Sequence, residues 1–302
     1  MTAADDLAPA PATRTSALLA QIARPWPVRV AMALLATILL GAALAPLIAP
    51  QDPFDPATFD LFDNLLPPGG RAASGGRYWF GTDEQGRDIF SAILYGLRIS
   101  LLVAVTSAAV AITIGVIIGL VSAYAGGRVD ALLMRIVDIK LSFPTILIAL
   151  VLVAVLGRGL DKTIFALIVT QWAYYARTVR GVALAEMGKN YIEAARVGGY
   201  GFRRILLVHL LPNCLAPVLA VVALQVGGAI ALESTLSFLG LGVPVTKPSL
   251  GLLIANGFTF VMSGRYWISV FPGLALILLV ISITVLSDRV REILRPSERG
   301  AG

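Results

Sequence analysis

Apolar residues gather in this chain into long continuous runs rather than into short alternating patterns. Six such runs follow one another along the sequence: 28–49, 99–123, 141–156, 163–176, 214–241 and 267–286. A helix needs roughly 20 apolar residues to cross the hydrocarbon core of a bilayer. Barrel strands would alternate apolar and polar positions, so the continuous runs favour helices. The pattern predicts an all-α integral membrane protein with six transmembrane helices.

The third and fourth runs define their helices least sharply. The apolar core of 141–156 is short, and the preceding stretch "ALLMRIVDIKLSFP" has helical spacing, so this helix is compatible with an earlier start. The run 163–176 is shorter than a full span. We therefore expect the boundaries of these two helices to differ most from the pattern.

Composition supports the membrane assignment. Hydrophobic residues make up 57% of the 302 residues, charged residues make up 14%, and the mean hydropathy is +0.84. Soluble domains typically carry about 25% charged residues. The composition therefore excludes an ordinary soluble domain.

The charge distribution predicts the orientation of the helices. If the first run crosses from the cytoplasm, about two thirds of the 24 lysine and arginine residues lie in cytoplasmic segments. The segment after the first run is acidic instead; its acidic residues are Asp52, Asp55, Asp60, Asp63, Asp83, Glu84 and Asp88. By the positive-inside rule, both termini are predicted to be cytoplasmic. The high pI of about 9.7 then reflects membrane topology, and no nucleic-acid partner is expected.

These patterns divide the chain into five segments. They are a cytosolic tail (1–27), a first transmembrane helix (28–49), an extracytoplasmic loop (50–96), a core of transmembrane helices (97–290) and a second cytosolic tail (291–302). The loop is rich in proline, glycine and aspartate, which predicts little regular structure. Within the core, residues 177–213 form the longest and most basic cytoplasmic loop.

That loop contains the stretch "YIEAARVGGYGFRRILLVHLLPN" at 191–213. It predicts a short helix, a glycine break and a second helix over 205–211 that could act as a rigid link to the next span. Glu193 is expected to pair with Lys189 and Arg196 on the helix surface. Ala194, Ala195, Gly198 and Gly199 would leave a face nearly without side chains, which allows another surface to approach closely. The simpler alternative is an interfacial helix within an ordinary basic loop.

The order of residues in this loop is similar to a known motif. Glu193, Ala194, Ala195 and Gly199, with Leu211 and Pro212 further on, resemble the cytoplasmic EAA loop in the membrane subunits of binding-protein-dependent ABC importers. Two further stretches, "GTDEQGRDIFSAILYGLRISL" (81–101) and "ESTLSFLGLGVPVTKPSLGLLI" (233–254), resemble the C-type permease subunits of dipeptide, oligopeptide and nickel importers. The resemblance covers about residues 25–295. Ser234 and Thr235 depart from the small apolar residues expected there.

The resemblance implies a type I (MetI-like) importer permease in a bacterial inner membrane, forming half of a translocation path. Its implied partners are a homologous B-type permease, two ATPase subunits and an extracytoplasmic solute-binding protein. ATP and Mg would bind to the ATPase subunits, with no cofactor on this chain. The implied substrates are dipeptides or short oligopeptides, with nickel or another small solute as the alternative. The residues implied to couple to the ATPase are Tyr191, Glu193, Ala194, Ala195, Arg196, Gly199, Tyr200 and Phe202.

Two polar sites outside this loop are further candidates. Glu233 lies within the fifth apolar run, where an ionisable residue indicates either a structural hydrogen-bonding role or a role in the translocation path or between subunits. Asp83, Arg87 and Asp88 either cap the second helix, with Thr82 or Asp83 as the N-cap, or act at an outer gate or binding-protein contact.

The residues argue against the rival classes of protein. A single histidine and the absence of H-E-x-x-H give no support to an intramembrane enzyme or a metal site. No G-x-x-x-x-G-K-[ST] stretch occurs, so ATP hydrolysis by this chain is not expected. A secondary transporter or channel remains as the alternative class, although only Glu233 is clearly intramembrane and no internal repeat is evident.

Overall fold

The structure is a computed structural model that describes residues 22–55, 58–73, 75–244, 246–247 and 249–294. The predicted tails 1–27 and 291–302 therefore lie largely outside the described residues. Within that part of the chain the secondary structure is helical, without β-strands. This confirms the predicted all-α class.

The longer helices are numbered here in chain order. They are α1 (Trp26–Ala43), α2 (Ile89–Ala125), α3 (Gly127–Ser142), α4 (Thr145–Leu156), α5 (Leu160–Met187), α6 (Asn190–Val197), α7 (Leu211–Phe238), α8 (Leu250–Phe258) and α9 (Trp267–Leu294). Residues 44–88, which join α1 to α2, are called the outer segment; they include a helical turn at Ala45–Ile48 and a 3₁₀ turn at Leu61–Asp63. Residues 188–210, which join α5 to α7, are called the EAA loop.

Four described helices are long and apolar enough to cross a membrane. They are Trp26–Ala43, Ile89–Ala125, Pro217–Phe238 and Trp267–Ile293. They correspond to the first, second, fifth and sixth predicted spans. A fifth span results only if α3 and α4 are taken together. The predicted number of six spans is therefore not confirmed.

The third predicted span, 141–156, is interrupted by a sharp bend. Helices α3 and α4 meet at an angle of 86° across Phe143 and Pro144. Phe143 has an extended backbone, as expected for a residue that precedes proline. Helix α4 alone has 12 residues, or about 18 Å of length, which is too short to cross a bilayer. The predicted continuous helix is wrong at this point because Pro144 ends α3.

The fourth predicted span, 163–176, lies inside the longer helix α5. This helix carries five charged residues and is not apolar enough to count as a membrane span. The charged residues are Asp161, Lys162, Arg177, Arg180 and Glu186. Its polarity is compatible with the bundle because much of α5 is covered by protein, above all by α2.

Helices α2 and α5 approach closely because two glycines lie between them. A β-carbon at Gly115 would lie 2.4 Å from the Tyr175 β-carbon, and one at Gly119 would lie 2.7 Å from the Ala176 carbonyl oxygen. Spacing of small residues by four positions is typical of tightly packed membrane helices. The backbones of α2 and α5 can therefore touch along the centre of the bundle.

Charged side chains join α3 to α5. Arg180 donates two hydrogen bonds of 2.6 Å to the carboxylate of Asp130, and Ser122 of α2 also donates to that carboxylate. A second ion pair joins Arg177 to Asp138. The bidentate geometry fixes the orientation of α3 on the bundle more strongly than a single exposed ion pair would.

Candidate functional site

Helix α6 of the EAA loop has one buried and one exposed face. Ile192 and Ala195 are buried, whereas Glu193, Ala194 and Val197 are exposed. Residues three positions apart lie on the same face of a helix, which explains why Ile192 and Ala195 point into the chain together. The predicted exposed face containing both alanines is wrong, because Ala195 packs in the protein's own core.

Gly199 ends α6 in a conformation that other residues adopt with difficulty. Its φ is +73°, the Tyr200 N–H donates to the Ala195 carbonyl at 3.1 Å, and the Gly199 N–H donates to the Arg196 carbonyl at 3.0 Å. This pair of bonds is the Schellman arrangement, in which the residue after the helix cap is left-handed and usually glycine. The motif glycine therefore determines the direction in which the chain leaves α6.

The start of α6 is tied to the end of α5 by polar side chains. The Tyr191 hydroxyl donates to Glu186 Oε2 at 2.8 Å, and Lys189 Nζ lies 2.6 Å from Glu186 Oε1. Burial, followed by the hydrogen bond to Glu186, raises the pKa of Tyr191 to about 12, so the phenol remains a donor at physiological pH. The predicted pairing of Glu193 with Lys189 and Arg196 is wrong. Lys189 pairs with Glu186 instead, and Glu193 has no ion pair among the described residues.

Aromatic contacts surround the glycine break. Phe202 meets the Tyr124 ring edge-on at 4.8 Å, and Arg196 lies over the same ring at 5.9 Å. Arg204 lies 4.1 Å from the centre of the Tyr200 ring. Because Tyr124 belongs to α2, these contacts attach the exposed part of the loop to the end of that helix.

The EAA loop shares a core with three long helices. Ile192, Ala195, Ile205, Leu206 and Leu210 of the loop are buried with residues of α2, α5 and α7; those residues are Leu120, Ala123, Val179, Ala183, Cys214 and Val218. A displacement of α6 would therefore act on all three helices through packed side chains.

The link from the loop to α7 is a π-helical turn over Ile205–Leu210 rather than a regular α-helix. Pro212 follows this turn and has no N–H to donate. The Asn213 side chain donates to the His209 carbonyl at 2.7 Å. The predicted rigid helix over 205–211 is thus replaced by a wider turn that continues directly into α7.

Glu233 is completely buried between α2 and α7. Its carboxylate accepts hydrogen bonds from Ser100 at 2.9 Å and Ser237 at 2.7 Å, with Ser234 at 3.4 Å. A buried carboxylate in a membrane helix is costly unless donors surround it. These contacts favour the structural alternative for Glu233, and Ser234, which departs from the expected motif residue, supplies one of the donors.

Asp83, Arg87 and Asp88 are all buried in the outer segment. Arg87 Nε donates to Asp83 Oδ2 at 2.6 Å, while Asp83 Oδ1 accepts from the backbone N–H groups of Gln85 and Arg87. Asp88 is the N-cap of α2 and accepts from the Ser91 N–H at 2.9 Å. The cap is therefore Asp88 rather than Thr82 or Asp83, and it starts α2 at Ile89 instead of near position 99.

Further hydrogen bonds hold the rest of the outer segment in place. The Thr82 carbonyl accepts from Trp267 Nε1 at 3.2 Å, which joins the segment to the start of α9. Asp63 accepts from the Ala73 N–H at 2.8 Å and from the Tyr78 hydroxyl at 2.9 Å. Sequence reasoning did not single out Asp63, because its partners are ten or more residues away and no local spacing identifies it.

The sequence of this chain matches a family of known proteins. The family described as "Binding-protein-dependent transport system inner membrane component" matches residues 111–300. The chain belongs to this family. The match includes the EAA loop and Glu233.

Relatives of this permease are similar over most of its length. The di/tripeptide transport system permease protein DppC of Pseudomonas aeruginosa (strain UCBPP-PA14) is 34% identical over 264 residues, covering 87% of this chain and 86% of that protein. The dipeptide transport system permease protein DppC of Bacillus subtilis (strain 168) is 37% identical over 258 residues, covering 85% and 78%. The probable D,D-dipeptide transport system permease protein DdpC of Escherichia coli (strain K12) is 35% identical over 263 residues, covering 87% and 85%.

A solved structure shares the fold. A chain of the MetNI methionine ABC transporter in an inward-facing conformation matches with a TM-score of 0.55 and 23% identity, covering 68% of this chain and 97% of that chain. These comparisons confirm the predicted ABC importer permease and its MetI-like fold. Membership in the family makes the chain a multi-pass inner-membrane transport component and implies ATPase and solute-binding partners.

The buried ion pair in the outer segment generates a stability prediction for the permease. Asp83→Ala would leave the Arg87 guanidinium buried without its carboxylate, and Arg87 Nη2 already has no hydrogen-bond partner among the described residues. We expect a loss of about 3–5 kcal/mol in the free energy of unfolding. Asp161→Ala is the matched control, because Asp161 forms an exposed pair with Lys162 and its removal should leave stability nearly unchanged. Equal thermal unfolding of the two purified variants in detergent would contradict this role.

Proposed function

We propose that this permease forms half of the translocation path of an ATP-driven importer of dipeptides or short oligopeptides. The observation that carries the proposal is the EAA loop, with α6 exposed on one side and buried in the core of α2, α5 and α7 on the other. Peptide transport is supported by the three relatives, which are permeases of peptide transport systems and are each similar over more than three quarters of their own length.

The exposed face of α6 is the proposed contact with the ATPase. Glu193, Ala194 and Val197 are all accessible, and Glu193 is free to pair with a cation of the partner. Tyr191 and Ala195 hold the helix to its own chain. Gly199 sets the exit direction, and the aromatic contacts of Arg196, Tyr200 and Phe202 support the break. Within this short segment, the exposed side chains are proposed to contact the ATPase, and the other side chains hold the helix in position.

Coupling would then be mechanical. ATP and Mg are proposed to bind to the two ATPase subunits, whose closure moves the docked α6. Because α6 shares a continuous core with α2, α5 and α7, its displacement is transmitted to these helices without a catalytic group on this chain. A homologous B-type permease would supply the other half of the path, and a solute-binding protein would deliver the peptide. Transport of nickel or another small solute is the alternative substrate assignment.

The orientation with both termini in the cytoplasm is part of this proposal. Val197 and Trp79 are 90% and 75% exposed, whereas the single native Cys214 is buried. An impermeant maleimide should label Trp79→Cys in cells whose inner membrane is intact. If the cells have an outer membrane, it is made permeable first. The maleimide should label Val197→Cys only after the inner membrane is opened and the ATPase subunits, which would cover this position, are removed. The opposite pattern would overturn the orientation.

The identity of the importer can be tested by purifying the permease from its native membrane in mild detergent. We expect a second permease and ATPase subunits to co-purify, and peptides to stimulate ATP hydrolysis when the solute-binding protein is present. A panel of dipeptides, longer peptides and nickel chelates distinguishes the substrates. Recovery of the chain alone, or only with copies of itself, would contradict the proposal and favour a secondary transporter.

Gly199 and Gly201 provide a matched test of coupling. A β-carbon added at either glycine would have open space within 4 Å, but only Gly199 has a positive φ. Gly199→Val should therefore strain the backbone by about 1–2 kcal/mol and change the exit from α6, lowering peptide uptake per ATP hydrolysed. Gly201→Val should retain near-normal coupling, because its backbone is extended. Wild-type uptake per ATP in the Gly199 variant would argue against the coupling role.

A further inference from the structure

Two adjoining cavities lie where the outer segment meets the bundle. The first has a volume of about 340 Å³ and is lined by Phe54, Tyr95, Arg98, Ile99, Leu102 and Lys247. The second also has a volume of about 340 Å³ and runs between α1 and α2; its lining residues are Leu39, Ala42, Ala43, Arg98, Leu101, Leu102, Val105 and Thr106. Arg98 and Leu102 line both cavities, so the first, called the basic pocket here, adjoins the second, called the groove.

The basic pocket combines two cations with two aromatic rings. Phe54 meets Tyr95 edge-on at 5.1 Å, and the Arg98 guanidinium lies 5.7 Å from the centre of the Tyr95 ring. Arg98 and Lys247 are exposed, and neither forms an ion pair with a carboxylate in the part of the chain that the structure describes. The pocket therefore offers two uncompensated positive charges to an anion.

Arg98 lies at the boundary of the apolar run 99–123, nine residues into helix α2. The 37 residues of α2 span about 55 Å, which exceeds the roughly 30 Å of a hydrocarbon core, so part of α2 extends beyond that core. An arginine at the edge of an apolar run can direct its guanidinium group to the head-group level. A lipid phosphate at that level is an anion that Arg98 could bind.

The groove below the pocket is lined by exposed apolar side chains of two membrane helices. Leu102 is 52% exposed and Val105 is 56% exposed. Helix α1 packs more extensively on α9 than on α2, which leaves a groove between α1 and α2. A hydrocarbon chain fits the shape and polarity of this groove, whereas a small solute or a carboxylate would occupy only the pocket.

We propose that these two adjoining cavities form a binding site for one anionic phospholipid, in the leaflet next to the outer segment. Arg98 and Lys247 bind the phosphate, the aromatic rings lie at the head-group level, and one acyl chain fills the groove between α1 and α2. Tyr95 in this position matches the interfacial preference of tyrosine. The bound lipid would fill the gap between α1 and the bundle. The site requires neither the proposed substrate nor coupling to an ATPase.

The test is a lipid titration of the full-length permease, in its purified complex, followed by native mass spectrometry. The probes are phosphatidylglycerol and, as a lipid without phosphate, diacylglycerol. We expect one tight phosphatidylglycerol adduct and no comparable diacylglycerol adduct. One basic residue near a membrane surface contributes about fivefold in affinity, so Arg98→Gln with Lys247→Gln should weaken the adduct more than tenfold. Arg158→Gln, an exposed cation in the loop between α4 and α5, is the control and should leave the adduct unchanged.

A second variant tests the groove without changing the charges. Val105→Trp places a large side chain in the path of the acyl chain and should also weaken the adduct, while its exposed position should preserve folding. Phosphatidylglycerol affinity within twofold of wild type in both the double variant and Val105→Trp would overturn the proposal. In the Arg98→Gln and Lys247→Gln double variant, normal phosphatidylglycerol affinity together with lost stimulation of ATP hydrolysis by the solute-binding protein would also overturn the proposal. The two cations would then contact a protein rather than a lipid.

Discussion

Several buried carboxylates in this permease receive their hydrogen bonds from other groups of the protein, because burial removes water as a donor. The rest of the structure depends on this constraint. Glu233 receives three serine donors, Asp83 and Arg87 neutralise each other, and Asp130 receives two bonds from Arg180. Each cluster joins elements that are distant in sequence or closes a loop: α2 with α7, the outer segment with itself, and α3 with α5. The polar contacts therefore fix particular pairs of neighbours, in addition to the glycine contacts between α2 and α5 and the apolar core around the EAA loop.

Helix α6 shows how the same chain combines rigidity with an accessible surface. Two of its side chains, Ile192 and Ala195, are buried in a core shared with three long helices, and the next positions face outward. The first alanine of the EAA motif, Ala194, is exposed and the second, Ala195, is buried, so two adjacent alanines have different roles. Gly199 belongs to neither group, because its left-handed backbone and the two bonds across it fix how the chain turns back toward α7.

Continuous apolar runs predicted four spanning helices correctly, since run length and composition are local properties. The bend at Phe143 and Pro144 also has a local cause, because proline restricts the residue before it, but the apolar pattern across it obscured the break. The close approach of α2 and α5 has a sequence signal in the spacing of Gly115 and Gly119. The three-residue spacing of Ile192 and Ala195 is likewise a local signal for the buried face of α6, and Glu186 and Lys189 are only three positions apart. By contrast, no local pattern could bring Ser100 to Glu233, because that contact depends on how distant helices pack.

Helix α7 is held differently at its two ends, and this has a mechanical consequence. Near the EAA loop it begins after a π-helical turn and shares the core that contains α6. Toward its other end, Glu233 is bonded to Ser100 of α2 and Ser237 of α7. Separating Glu233 from Ser100 would leave a buried carboxylate short of a donor, which is costly in a membrane. If the proposed coupling moves α6, the displacement would be resisted at Glu233 and absorbed nearer the π-helical turn, so α7 would tilt about the Glu233 contact rather than translate as a whole. Under that proposal, Glu233 would affect transport as a fixed point of the motion without contacting the transported solute.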